Sequence, residues 1–439
     1  MTKIQTIPKA SALSAALCNA SMLLYPFWLL LPAVQTTGRA LTGMLAVGLF
    51  GLGVLLDTAY LKRQWAWLLL RVACAATLPL LLWFFMGRGG QNFAGFYVQQ
   101  SMFWFPLIFC AYAKERGDER LWRFVKLVLL ATVALTTLTT IGWLVQGMLR
   151  GGRVYAYSRS LGFAEPGNEA YLKELMLRNI GGYDFIYASV VSLPFTCMGI
   201  MHHKGLARGG FFALLLAQLV MIVLSQYTYA MVFAACITAV ELCAWLLRAL
   251  SRGRVGLGAS LLWGLTPLLL VLVLRVPLIT LAAGLCERVG FTSFAFSLNQ
   301  LLVAMAGGVT DEASRLGYYL LPLRGIAASP LVGSMFGGEV LLSRHSDLLD
   351  LLSGMGLLGT AAVGAMLWLM GRGSLHGVKQ CPYKAQLVVA ALALTAIAAL
   401  GTVVYSRDIL LVGALGMFFA TCSPPPHFAC EPASEAEPR

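Results

Sequence analysis

Charge is scarce in this chain: Asp, Glu, Lys and Arg make up 12% of its 439 residues, about half the share usual in water-soluble domains. A surface so poor in hydrated groups excludes a soluble globular protein. Acids are the scarcer sign, 19 against 32 Lys and Arg, which leaves a net charge of +13. No Walker or dinucleotide glycine pattern occurs, so nothing predicts a nucleotide site. Metal-ligand spacing is missing too, because His202 and His203 are adjacent and the cysteines form no CxxC pair. Most of the ten cysteines, among them Cys18, Cys74, Cys110, Cys197, Cys236 and Cys243, lie inside apolar runs. Only Cys286 falls in a long outer segment, so no disulfide framework is expected. The first apolar run is followed by Arg39 and lacks a small-residue cleavage site, which predicts no cleavable leader.

What the chain does have is hydrophobic length. Apolar residues make up 59% of it and gather in uncharged runs of about 20, enough to cross roughly 30 Å of hydrocarbon as helix. The runs predict twelve spans, at about 13–33, 39–58, 65–86, 95–113, 122–147, 184–202, 209–226, 228–247, 259–280, 346–370, 385–405 and 408–422. The predicted fold is therefore all-α, a polytopic membrane helix bundle of about twelve transmembrane helices. Residues 1–422 form a single bundle and 423–439, rich in Pro and polar residues, a disordered cytoplasmic tail. Basic residues concentrate in alternate connections: Lys62 and Arg63, Lys114 to Lys126, Lys204 and Arg208, Arg248 to Arg254, and Arg372 to Lys384. The intervening short loops hold only Arg39, Arg88 and Arg407. By the positive-inside rule the basic set is cytoplasmic, with both termini inside. That sorting accounts for the net charge without nucleic acid.

Two long connections, about 148–183 and 281–345, fall on the outer side. Long loops translocate whatever their charge, and within a compact bundle they tend to carry function. In the second, Thr310 can cap a helix, Asp311 and Glu312 suit its first turn, and Pro322 limits its end. This predicts short amphipathic structure, with a helix over 311–321 lying near the outer membrane surface. Asp57, Arg71 and Glu241 fall near cytoplasmic ends of spans, where long side chains can snorkel. Asp184, Arg275, Asp347 and Asp350 fall near outer ends, leaving the midplane free of charge. Ion-coupled transporters commonly place acids or broken helices there, and that pattern is weak in this sequence.

The densest chemistry lies in residues 311–359. Arg315, Arg324, Arg344 and His345 gather beside the mouth of a span that opens with Ser346 and Asp347. Guanidinium forks match phosphate oxygens and stay charged at physiological pH, while imidazole can accept a proton from a sugar hydroxyl. The stretch SPLVGSMFGGE, with Pro330, Gly333, Gly337 and Gly338, is a turn-rich loop whose backbone could approach a ligand. Simpler roles exist for each cation. Arg315 can pair with Asp311 at i,i+4, Arg324 can meet lipid headgroups, and Arg344 can serve as an interfacial anchor. His345 can hydrogen-bond backbone at a helix start. Arg159 and Arg178 in the first outer loop, and Asp347 with Asp350 at i,i+3, are candidate substrate contacts or simply solvated charges.

This stretch resembles the O-antigen polymerase and O-antigen ligase superfamily of bacterial membrane enzymes. The elements that carry the resemblance are Arg315 and Arg324 on an amphipathic segment, Pro330-Leu331-Val332-Gly333, His345-Ser346, and Gly356-Leu357-Leu358-Gly359. It covers about fifty residues and otherwise rests on topology. It implies a GT-C-type glycosyltransferase of the bacterial cytoplasmic (inner) membrane whose site is extracytoplasmic. The donor would be a polyprenyl diphosphate-linked oligosaccharide and the acceptor a glycan hydroxyl, with no metal or other cofactor. A chain-length regulator or a flippase would be a natural partner. Arg315 and Arg324 would hold the diphosphate, and His345 would deprotonate or orient the acceptor. Polymerase and ligase stay open at this point, as does a flippase for the same lipid-linked saccharides. In one respect the sequence departs from the family. The outer junction of two earlier spans, where an arginine is common, reads Ser225-Gln226-Tyr227-Thr228. Either Arg159, Arg178 or Arg275 supplies that charge, or the anion site is weaker than in the family.

Overall fold

In a computed structural model of the chain, the described residues are 11–85, 93–116, 119–150, 169–250, 275–306, 311–334, 341–343, 345–375 and 384–401. All regular structure among them is helical. In chain order the helices are α1 (Ala12–Leu30), α2 (Pro32–Thr37), α3 (Arg39–Leu56), α4 (Thr58–Phe85), α5 (Phe93–Arg116), α6 (Glu119–Leu149), α7 (Glu169–Leu177) and α8 (Tyr183–His202). They continue with α9 (Gly205–Ser225), α10 (Thr228–Leu250), α11 (Arg275–Val289), α12 (Thr292–Met305), α13 (Asp311–Ala328), α14 (Asp347–Leu375) and α15 (Lys384–Leu400).

Six of these helices contain a stretch long and apolar enough to cross a membrane: Thr58–Phe84, Leu127–Leu149, Tyr183–His202, Gly205–Ser225, Tyr229–Leu246 and Asp347–Gly371. Shorter apolar helices run over Ala12–Trp28, Leu41–Leu56 and Gln386–Leu400. Large apolar side chains such as Leu69, Leu127 and Trp368 face outward while Thr136, Gln218 and Asp57 are buried. Lipid rather than water is the solvent that such an inversion suits. Of the twelve expected spans, 408–422 and most of 259–280 lie outside the described residues, as does the tail over 423–439.

Small residues bring α1 and α3 together as an antiparallel pair. Ser14 Oγ donates to the Gly53 carbonyl at 2.6 Å, Ser21 Oγ donates to that of Ala46, and a Cβ at Gly53 would sit 2.5 Å from Cys18 Sγ. Close approach of this kind substitutes for a hydrophobic driving force inside a bilayer. The α8–α9 pair is joined by amide chemistry. Thr196 Oγ1 donates to Gln218 Oε1 at 2.9 Å, and Gln218 Nε2 donates to Ser192 Oγ at 2.8 Å.

The acids and arginine expected to snorkel are buried instead. Asp57, 2% exposed, accepts the Tyr60 N–H at the start of α4 and the Tyr112 hydroxyl at 2.9 Å, and pairs with Arg116. Glu115 accepts the Tyr60 hydroxyl at 2.7 Å and Arg71 Nη2 at 2.9 Å. Burial is tolerable because each charge meets an opposite one plus hydrogen bonds, and the cluster locks the α3–α4 corner to the end of α5. Glu241 is likewise buried and accepts Gln386 Nε2 at 3.0 Å, which ties α10 to α15.

Both segments expected on the outer side contain helices among their described residues. In the first, α7 ends on Asn179 in the left-handed region (φ 60), with Ile180 N–H closing onto the Leu175 carbonyl at 3.0 Å. The second is mostly helical: α11 already begins at Arg275, and α12 and α13 follow. Helix α13 does not stop at Pro322; it continues to Ala328 with Pro322 buried. Packing against α14 overrides the local breaker, since Gly325 lies against Ser353 so closely that a Cβ there would overlap Ser353 Oγ. The expected surface helix over 311–321 is thus the first part of a longer helix docked along a span.

Candidate functional site at a re-entrant turn

The site is organised by an interruption in α14. Gly356 adopts φ 62 and ψ −172, which breaks the helix about 13 Å along its axis from Asp347. The gap is filled by the turn after α13. Leu357 and Leu358 N–H groups donate to the Pro330 and Leu331 carbonyls at 2.9 and 3.0 Å. Ser334 donates through both its N–H and its hydroxyl to the Gly354 carbonyl at 3.1 Å. Backbone groups freed by the break are thereby satisfied inside the bundle, the condition for non-helical backbone at this depth. Pro330-Leu331-Val332-Gly333 and Gly356-Leu357-Leu358-Gly359, two separate stretches in the sequence, are one physical joint.

Helix α13 descends beside α14 to this joint, and the chain then climbs back. Ser353 Oγ donates to the Leu341 carbonyl at 2.7 Å, and Ser343 donates to Asp350 Oδ1 through its N–H at 2.7 Å and its hydroxyl at 3.0 Å. Ser343 Oγ in turn accepts the N–H groups of His345 and Ser346 at 3.0 and 3.1 Å. Ser346 caps α14 by accepting the Leu349 N–H at 3.2 Å. The backbone at His345 is therefore fixed by a Ser343–Asp350 lock that sequence reasoning missed. The sequence signal was a serine two residues before the histidine and an acid in the first helical turn.

His345 is exposed, and its ring lies 4.8 Å from that of Tyr318 on α13. Tyr319, the next residue, donates its hydroxyl to the Leu400 carbonyl at 3.1 Å. Asp347 is 1% exposed, with its N–H donating to the Gly401 carbonyl at 3.1 Å, so it sits inside the α14–α15 junction rather than at an open surface. Asp350 is 2% exposed; the two acids do not form a solvated span end.

Arg324 is exposed, with no hydrogen-bond or ion-pair partner among the described residues. It precedes Gly325, which lies against Ser353, so it belongs to the deeper part of the hairpin. Arg315 lies in the first half of α13, and its side chain is outside the described residues. Nine residues separate the two positions, about two and a half turns and 13 Å of helix. By helical register the two positions start on opposite sides of α13. Arg178 pairs with Glu174 at 2.5 Å on the exposed face of α7. Arg275 opens α11 with its side chain undescribed, and Arg159 and Arg344 lie outside the described residues. At the 225–228 junction, Gln226 is left-handed (φ 55), and the Tyr227 and Tyr183 rings meet edge to face at 5.1 Å. Among the described residues no three His, Cys, Asp or Glu side chains gather as a metal site would.

Compared with known proteins, the chain matches no family model and no curated sequence. The site's own chemistry therefore carries the functional reading.

Proposed function

We propose that the protein is a polymerase of lipid-linked oligosaccharide repeat units, acting on the outer face of a bacterial cytoplasmic membrane. An acceptor sugar hydroxyl attacks the anomeric carbon of a polyprenyl diphosphate-linked glycan. The new C–O bond forms as the sugar–phosphate bond breaks, and the diphosphate leaves with the bonding electrons. His345 takes or orients the acceptor proton. An arginine offsets the charge that grows on the diphosphate, in a setting where fixed charge acts strongly. The observation that carries the reading is an exposed His345 imidazole and an exposed Arg324 guanidinium with no partner among the described residues, both on segments packed against α14. Both lipid-linked substrates of a polymerase carry a diphosphate, which suits arginines on two sides of α13. A ligase acting on a finished glycan would use the same donor geometry.

A flippase for the same saccharides is the second reading, favoured by the break at Gly356, since discontinuous spans line many transport paths. Product size and the leaflet in which the product sits together separate the three. Loss of His345 leaves single repeat units if the protein polymerises and long lipid-linked chains if it ligates. It leaves units on the inner leaflet if the protein transports. Normal glycan in both His345→Ala and Arg324→Ala cells would remove the transfer reading.

A further inference from the structure

A second site lies among α8, α9 and α10, away from the re-entrant hairpin. It is a cavity of about 510 Å³, within the range of small-molecule sites. Its walls are mostly apolar, including Cys197, Met201, Phe212, Leu215, Leu242 and Trp245. Phe212, Leu242 and Trp245 are 60%, 53% and 43% exposed, so the cavity opens sideways to the hydrocarbon rather than to water. The wall's one carboxylate, Glu241, is engaged by Gln386. Its one cation, Arg208, is exposed and has no partner among the described residues. Lys204, exposed and equally without a partner among them, sits four residues earlier at the start of α9, where no side chain caps the first turn. An apolar chamber with one exposed cation in its wall, a second exposed cation next to it in the chain and its single carboxylate buried is complementary to an amphiphile with a negative head.

We propose that this groove binds an anionic phospholipid, with an acyl chain in the cavity and the headgroup phosphate on Lys204 and Arg208. By the distribution of Lys and Arg this mouth faces the cytoplasmic leaflet, where anionic headgroups meet basic pockets between helices. The occupant belongs to the bilayer and does not depend on the transfer reaction. Its role is to hold α9 against α10 on the cytoplasmic side, below the Ser225–Thr228 junction.

Native mass spectrometry of the full chain, titrated with phosphatidylglycerol or phosphatidylcholine, tests the site. Wild type should retain one phosphatidylglycerol in preference to phosphatidylcholine. Lys204→Gln/Arg208→Gln should lose the preference, by about fivefold for each cation removed. Leu242→Trp, which fills the groove and leaves the charges, should weaken both lipids. Arg63→Gln, a basic position elsewhere, should change neither. Undiminished phosphatidylglycerol binding in the double variant or in Leu242→Trp would overturn the proposal. Displacement of the lipid by an equimolar polyprenyl phosphate would overturn it as well, since the occupant would then be the carrier.

Discussion

Replacing Gly333 or Gly356 with Ala probes the joint on which the hairpin depends. Both glycines lie at positive φ, with φ 58 and φ 62. An alanine in that region costs about 1–2 kcal/mol before any contact is counted. A Cβ at Gly333 would lie 2.6 Å from the Gly356 nitrogen and 2.7 Å from the Gly354 carbonyl oxygen. A Cβ at Gly356 would lie 2.5 Å from the Gly333 nitrogen and overlap the Leu331 carbonyl. These neighbours are backbone, so relief requires the turn to leave α14, and overpacking of this kind costs about 1–3 kcal/mol. The sum is about 2–5 kcal/mol for each substitution, with partial loss of the Leu357 and Leu358 hydrogen bonds to the turn. Gly364, on the same helix with open space around it, is the control; Ala there should be neutral or stabilising by up to about 1 kcal/mol. Thermal aggregation in detergent, read as the fraction still monodisperse after heating, compares the three. If Gly333→Ala and Gly356→Ala survive heating as well as Gly364→Ala, the joint is not what holds the hairpin.

Other outcomes follow from the same geometry. Asp57→Asn keeps an acceptor for Tyr112 but leaves Arg116 without its countercharge. It should destabilise by about 3–5 kcal/mol, visible as an earlier melt. Ser343→Ala removes the oxygen that accepts the His345 and Ser346 N–H groups. With about 1–3 kcal/mol lost for each buried group left unpaired, glycan transfer should fall while membrane insertion persists; unchanged transfer would count against a positioning role. A variant whose sole cysteine is Cys286 should react with a membrane-impermeant maleimide added outside the cell, and labelling only after lysis would invert the orientation. Burial pushes that thiol up, so the reactive thiolate is rarer at neutral pH than for a solvated cysteine, and labelling should speed up as pH rises.

The helices were legible because each apolar run is a local, repeated signal. The six long apolar helices all fall on expected spans, with ends shifted by a few residues in most. What escaped were features set by contacts distant in sequence. Nothing near Pro322 announces that Gly325 will lie on Ser353 and carry α13 onward. Nothing within α14 shows that Gly356 will leave the helix, because the partners that compensate it lie about 25 residues earlier. Asp57 and Arg71 read as snorkelling charges since Glu115 and Arg116, their countercharges, belong to another helix. Within the candidate site, residue type and clustering singled out His345 and Arg324. The lock between Ser343 and Asp350 needed the returning strand of chain to be seen.

The most direct test of the transfer chemistry uses the purified chain in lipid with a polyprenyl diphosphate-linked repeat unit as sole substrate. Wild type should build a ladder of longer lipid-linked glycans, and His345→Ala and Arg324→Ala should leave the starting unit unextended while remaining monodisperse. A ladder of undiminished length from either variant, or none from wild type, would contradict the account.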